Sequence, residues 1–262
     1  MLFYTAKTPQ LYNNTIGAGY LPCPDVDNDG LADANSSDGL CPGTTLGRLP
    51  ESVQLPGSSN FFSLSDTDDE SNQQLWYAVA AEHVYDETHK PAEGRLSATP
   101  GRLSLNGKPG YVALIIAPGA ALPGQSRTPN SDEQFTPGNY LEGANSDSDT
   151  LYENLGSDPD AFNDRILGIS HDELMRYAGM SVAQHIGQEI LDECSADGSG
   201  CPAAGLLDMD GSTWLAAELW QVRIGYRDDE AAANPFLEFD GCPGMSFTLH
   251  PVVSREGDKC HP

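Results

Sequence analysis

Apolar positions along the chain define one clear helix and several short strands, set between long polar stretches. The run YVALIIA at 111–117 is aliphatic and β-branched throughout and stops at Pro118-Gly119, which predicts a central strand buried on both faces. Over 170–193 the period changes. Leu174, Ala178, Val182, Ile186 and Ile190 recur every four residues, with Met175 and Ala183 widening the stripe, as in a helix with one apolar face. Ser170 as N-cap and Glu173 three residues later make a capping box, and Ile169 and Leu174 make the hydrophobic staple around it. Asp172 and Glu173 also complement the positive end of the helix dipole. Gly179 and Gly187 each cost ~1 kcal/mol relative to alanine, so tertiary contact must hold this helix.

Weaker signals fill in the rest. LWYAVAAEHVY at 75–85 alternates at Leu75, Tyr77 and Val79, which predicts a strand at its start, although Trp76, Val79, Ala80 and His83 also suit helical spacing. Short alternating segments over 95–105 flank Pro100-Gly101, and 106–110 reads as a turn. Val222, Ile224 and Tyr226 alternate behind the helix-like WLAAELW, and PFLEF and MSFTLHPVV add further short strands. Residues 45–56 read as an extended connector, and 118–165 are mostly turn formers, an irregular length that in a compact domain usually serves a function. Strands and helices come in mixed order, so the class is α+β: a loop-rich head whose antiparallel or mixed sheet packs on helix 170–193.

Length and composition narrow the picture. The 262 residues suffice for one domain, with room for a C-terminal subdomain over 195–262, and 27 glycines and 19 prolines keep its elements short. Acidic residues number 39 against 13 basic ones, a formal net charge of −26, which excludes nucleic acid as a partner. An anionic membrane surface is repelled for the same reason. The acidity fits divalent cations, basic partner surfaces or a saline habitat in which carboxylates hydrate the surface, and the scatter of the acids favours the last.

Cys23, Cys41, Cys194, Cys201, Cys242 and Cys260 fall into three sequence-local pairs, each bracketing a polar loop. Six cysteines permit fifteen connectivities, of which nearest-neighbour pairing is the most economical. Zinc is the rival, and it lacks suitably spaced partners apart from His261 beside Cys260. Disulfides imply an oxidising compartment. No signal peptide and no apolar run of ~18 residues opens the sequence. The expectation is therefore that a targeting and anchoring helix precedes residue 1 in the native protein.

Inside the first cysteine pair, DVDNDGLAD places Asp25, Asp27 and Asp29 at alternate positions before Gly30, with Asp33 following. Calcium loops of the EF-hand type use this spacing, and Asp25, Asp27, Asp29, the Leu31 carbonyl and Asp33 would then be the ligands. Ser36 stands where the bidentate glutamate belongs, and no helices are recognisable on either side. The competing reading is a solvated turn rich in Asp, Asn and Gly.

GYLPCPDVDNDG, then Cys41, LGRLP and LWYAVA, and later YVALIIAPGAALPGQSR, NYLEGAN and NDRILGISHDELM follow one another over residues 19–189. In their order these blocks resemble the soluble part of bacterial prepilin-type proteins, the type IV minor pilins and type II secretion pseudopilins. The resemblance implies a non-catalytic, extracytoplasmic structural subunit of a pilus or secretion pseudopilus. It would be held at the periplasmic face of the inner membrane, or on a cell-surface pilus, by an N-terminal hydrophobic helix, and its partners would be other pilin or pseudopilin subunits. Residues 2–16, interrupted by Pro9, would then hold the remainder of that helix. The alternative is a secreted calcium-dependent adhesin, a module binding carbohydrate or protein.

Signals for catalysis are thin. Ser170, His171 and Asp172 are contiguous and cannot converge as a triad, and PGQSR around Ser126 lacks the second glycine of a nucleophile elbow. Asp158, Asp160 and Asp164 in DPDAFND, and Asp208 and Asp210 in DMDG, place oxygen ligands at short spacing and offer weaker cation sites than the first loop, with turn and cap chemistry the preferred reading. The chain is expected not to be an enzyme.

Overall fold

The computed structural model describes residues 17–35, 39–54, 59–64, 75–85, 101–128, 132–147, 149–154, 160–197, 224–227, 236–239, 242–248 and 254–259. The chain divides into two compact units, one of residues 1, 21–89 and 100–171 and the other of residues 2–20, 90–99 and 172–262.

The first unit is built on a six-stranded sheet of β1 (Leu46–Arg48), β4 (Trp76–Val79), β5 (Leu103–Leu105), β6 (Lys108–Ala117), β7 (Leu151–Tyr152) and β8 (Arg165–Ser170). β6 is its hub, pairing antiparallel with β4, β5 and β8. β5 and β7 run parallel, which makes the sheet mixed. Asn106 and Gly107, both at positive φ, turn β5 into β6 as an Asn-Gly hairpin. The expected strand 111–117 is therefore real, and it extends three residues further towards its N-terminus. All of β4 is buried, and so are Val112, Ala113, Leu114 and Ile116 of β6, but Tyr111, Ile115 and Ala117 are only half-buried, so the expected burial of 111–117 on both faces is incomplete. Leu46, Trp76, Ala78, Leu103, Leu114 and Ile116 lead the main core cluster.

Within 45–56, read from the sequence as a connector, lie β1 and β2 (Ser52–Gln54), and β2 pairs antiparallel with β3 (Phe61–Ser63). Three-residue strands are too short to show a periodicity, which is why the pattern concealed them. The described residues of 118–164 run mostly without regular structure and carry three 3₁₀ turns, at Asp132–Phe135, Pro137–Asn139 and Gly143–Ser146, and the two-residue β7.

The second unit holds the helix α1 (His171–Asp197) and an antiparallel sheet in the order β12 (Ser254–Lys259), β11 (Cys242–Thr248), β10 (Phe236–Phe239), β9 (Ile224–Arg227). Leu174, Met175, Ala178, Val182, Ala183 and Ile186 of α1 are all buried, as the stripe requires. The boundary differs slightly from the sequence reading: β8 runs up to Ser170 and the helix begins at His171 without a connecting loop. The protein is α+β. The segments 2–16, 95–100 and 213–220 lie outside the described residues.

Candidate functional site

The acidic loop is fixed from both ends. Cys23 and Cys41, both buried, form a disulfide with their Cα atoms 5.5 Å apart. Leu21 bridges to Val84, the Cys41 amide donates to the Tyr85 carbonyl at 2.7 Å, and the Tyr77 hydroxyl donates to the Pro22 carbonyl at 3.2 Å. Between these ties Asp25 pairs with Arg48 of β1 as an isolated antiparallel bridge, and Leu31 with Ser52 of β2 as a parallel one. The sheet thus supplies the support that flanking helices give an EF-hand.

Inside the loop the carboxylates organise the backbone. Asp25 Oδ1 accepts from the Asn28 amide at 2.6 Å, and its Oδ2 from the Gly30 amide at 2.9 Å. Asn28 and Gly30 both take positive φ, 59° and 86°, which turns the chain sharply at the position where a calcium loop requires glycine. Asp27 and Asp29 each accept from the amide two residues on, at 3.3 Å and 2.8 Å. One ligand oxygen from each of Asp25, Asp27 and Asp29 lies within 4.8 Å of the others, close enough to share a cation.

Of the five expected ligands, then, three converge. Asp33 turns its Oδ2 back to the Val26 amide, while the bridge at Leu31 is made by the Gly30 carbonyl and the Ala32 amide to Ser52 and does not use the Leu31 carbonyl. Asp25 is only 1% exposed, whereas Asp27 and Asp29 face solvent. Burial raises the Asp25 carboxyl to about 6, with the charges of Asp29 and Asp33 adding to it against the two amide bonds. Asp33 is raised too, mainly by burial. A divalent ion would relieve this crowding of like charge.

A second cluster, which the sequence reading did not assemble, lies on the other side of Arg48. The Arg48 guanidinium stacks between the rings of Trp76 and Tyr140, at 4.2 Å and 4.0 Å from their centroids. Arg127 stacks on Tyr140 at 4.9 Å and donates to the carbonyls of Gly119, Asn139 and Tyr140 and to Gln125 Oε1. Gln125 passes the connection to Glu142, and Glu142 to Asn163 and Asp164. Each of these residues comes from a block singled out in the sequence: LGRLP, LWYAVA, PGQSR, NYLEGAN and NDRILG. The order of those blocks was the available signal, and their convergence needed the fold.

No arrangement for covalent catalysis appears among the described residues. Ser126 Oγ donates to Glu133 Oε2 at 2.7 Å, with no histidine in that network. Ser170 ends β8, and His171 is buried at the start of α1. An open depression of about 650 Å³ on the β6 and β8 face, between Asn106, Asn154, Arg165 and Leu167, offers no nucleophile and no general base. The pairings of Cys194, Cys201, Cys242 and Cys260 lie outside the described side chains. Among the described residues no helix is long and apolar enough to cross a membrane. In comparisons with known proteins the chain matches no family model, no curated protein and no solved structure.

Proposed function

We propose that this chain is the extracytoplasmic head of a non-catalytic, prepilin-type structural subunit, a minor pilin or type II secretion pseudopilin. In this reading it assembles with other pilin-like subunits and is anchored in the inner membrane by a helix preceding residue 1. The observation that carries the reading is the destination of the resemblance blocks. The contacts of Arg48, Trp76, Arg127, Tyr140, Glu142 and Asp164 run to one another, to the side chains of Gln125 and Asn145 and to backbone carbonyls and amides, which supports a scaffold role for the residues that bear the likeness. An enzyme would direct some of its polar residues towards a cleft. The Cys23–Cys41 bridge fits an oxidising, extracytoplasmic compartment.

In the same reading Asp25, Asp27 and Asp29 take calcium and lock the loop against β1 and β2, completing the support that the disulfide begins. The deciding experiment is to read the gene upstream of the codon for Leu2 and to sequence the N-terminus of the mature protein. The expected result is a short basic leader, a glycine before the cleavage point, a glutamate five residues into the mature chain and an apolar helix of ~20 residues. An ordinary cleavable signal peptide would overturn the filament reading and leave the secreted calcium-dependent binding module.

A further inference from the structure

Glu142 and Asp164 form a buried acid pair that no other feature accounts for. Asp164 is fully buried and Glu142 is 8% exposed. Glu142 Oε1 accepts from Gln125 Nε2 at 2.9 Å, and its Oε2 from the amides of Asn163 and Asp164 at 3.1 Å and 3.2 Å. Asp164 Oδ2 accepts in return from the Glu142 amide at 3.0 Å and from Asn145 Nδ2 at 2.9 Å. Its other oxygen, Oδ1, is buried with no hydrogen-bond partner.

All of these donors are neutral. Arg127 reaches Glu142 only through Gln125, since its guanidinium is committed to Gly119, Asn139 and Tyr140. Arg165, next in the chain, is exposed, and Glu153 enters only through its carbonyl, which Asn145 Nδ2 reaches at 2.9 Å. Two carboxyls removed from water, with no cation beside them among the described residues, cannot both ionise cheaply.

We propose that Asp164, buried beside Glu142 with one oxygen unpartnered, keeps a proton that latches the described parts of 118–164 to the start of β8, closed while the proton is held and loosened when it leaves. The hydrogen bonds define what the latch fastens. Through Glu142 and Asp164, residues 125, 142, 145 and 163 are held at one point in a stretch whose described residues have almost no strand pairing of their own. Burial, and after it the neighbouring Glu142, raises the Asp164 carboxyl from 3.8 to about 6. The folded state therefore holds the proton more tightly than the unfolded chain. The stabilisation is complete below pH ~4 and disappears as the pH rises through ~6.

The test is a carbon-detected NMR titration of the side-chain carboxyls in the whole chain, combined with amide exchange corrected for its intrinsic pH dependence. A site-resolved readout is needed because Asp25 titrates in the same range. The Asp164 signal is expected to move with a midpoint near 6. Protection of the Glu142, Asn163 and Asp164 amides should fall about tenfold as the pH passes one unit above that midpoint. Asp164→Asn, which carries no titrating proton, should hold protection constant over the same range. An Asp164 carboxyl titrating as an ordinary acid below pH ~5 would overturn the held proton, and a midpoint near 6 with unchanged protection would overturn the latch. The wild-type titration decides alone if the variant does not fold.

Discussion

Arg48 lies with its guanidinium between two aromatic rings while Nη2 donates to the Gln134 carbonyl at 2.9 Å. Burial pushes its pKa down, so the cation depends on the ring faces and on hydrogen bonds for what water would otherwise supply. Lysine has the charge but neither the flat face nor the forked donors. Arg48→Lys should therefore cost about 2 kcal/mol, read as a lower urea midpoint at unchanged slope, and a loss under about 0.5 kcal/mol would show that the stacking is incidental. Asp25 gives the opposite kind of prediction, one about conditions. Its carboxyl is raised to about 6, so the folded loop binds a proton more tightly than the unfolded chain. That contribution is full below pH ~4 and declines as the pH rises through ~6. In chelator the melting temperature should fall between pH 5 and 7, and Asp25→Asn should flatten part of the decline. Millimolar calcium should also flatten it if the loop takes the ion, because the metal replaces the proton as the partner of the carboxylate; an identical pH profile with and without calcium would remove the metal from the reading.

At the scale of elements, the acidic loop and β1 depend on one glycine. A Cβ on Gly47 would stand 2.7 Å from the Asp25 carbonyl oxygen and 2.8 Å from Pro24 Cβ, and the bridge of Asp25 to Arg48 leaves the backbone no room to yield. Gly47→Ala should therefore cost roughly 1–3 kcal/mol and weaken any calcium response of the loop, since the strain falls on the residue that begins the ligand set. Denaturation together with calcium titration of the variant checks both parts, and wild-type behaviour in both would mean that the loop rides free of β1. The elements also differ in how legible they were. β6 and α1 have long, uniform apolar patterns, and both appear where the residues put them. β1, β2, β3 and β7 are two or three residues long and exist because tertiary pairing holds them, so no local pattern announces them. β12 is composed of SREGDK, polar throughout, and only its pairing with β11 makes it a strand. The Cys23–Cys41 pairing and the Asp25, Asp27 and Asp29 cluster were readable because spacing alone brings such groups together. The Arg48, Tyr140 and Arg127 stack joins residues up to 92 positions apart and was not readable at all.

On the scale of the whole molecule, a net charge of −26 on 262 residues is a standing cost of folding, because compaction brings like charges together. The described interactions do little to offset it. Arg48 is buried and Arg127 half-buried, both committed to stacking and carbonyl contacts, and the exposed Arg102 lies 3.4 Å from the buried Glu82. Compensation is left to dissolved ions. The Debye length shrinks from ~30 Å at 0.01 M to ~3 Å at 1 M, so the repulsion is felt across the whole head at low ionic strength and hardly beyond neighbouring side chains at high. Stability should therefore rise with sodium chloride, by about 5 °C in melting temperature between 0.01 and 0.5 M for a gain on the order of 2 kcal/mol. Measured in chelator, this rise reports general screening. Repeated with calcium, it should be smaller if Asp25, Asp27 and Asp29 bind the ion, since part of the repulsion is then already neutralised at one place. A flat salt curve in chelator would mean that the carboxylates lie too far apart to oppose folding, and the acidity would then owe nothing to a saline habitat.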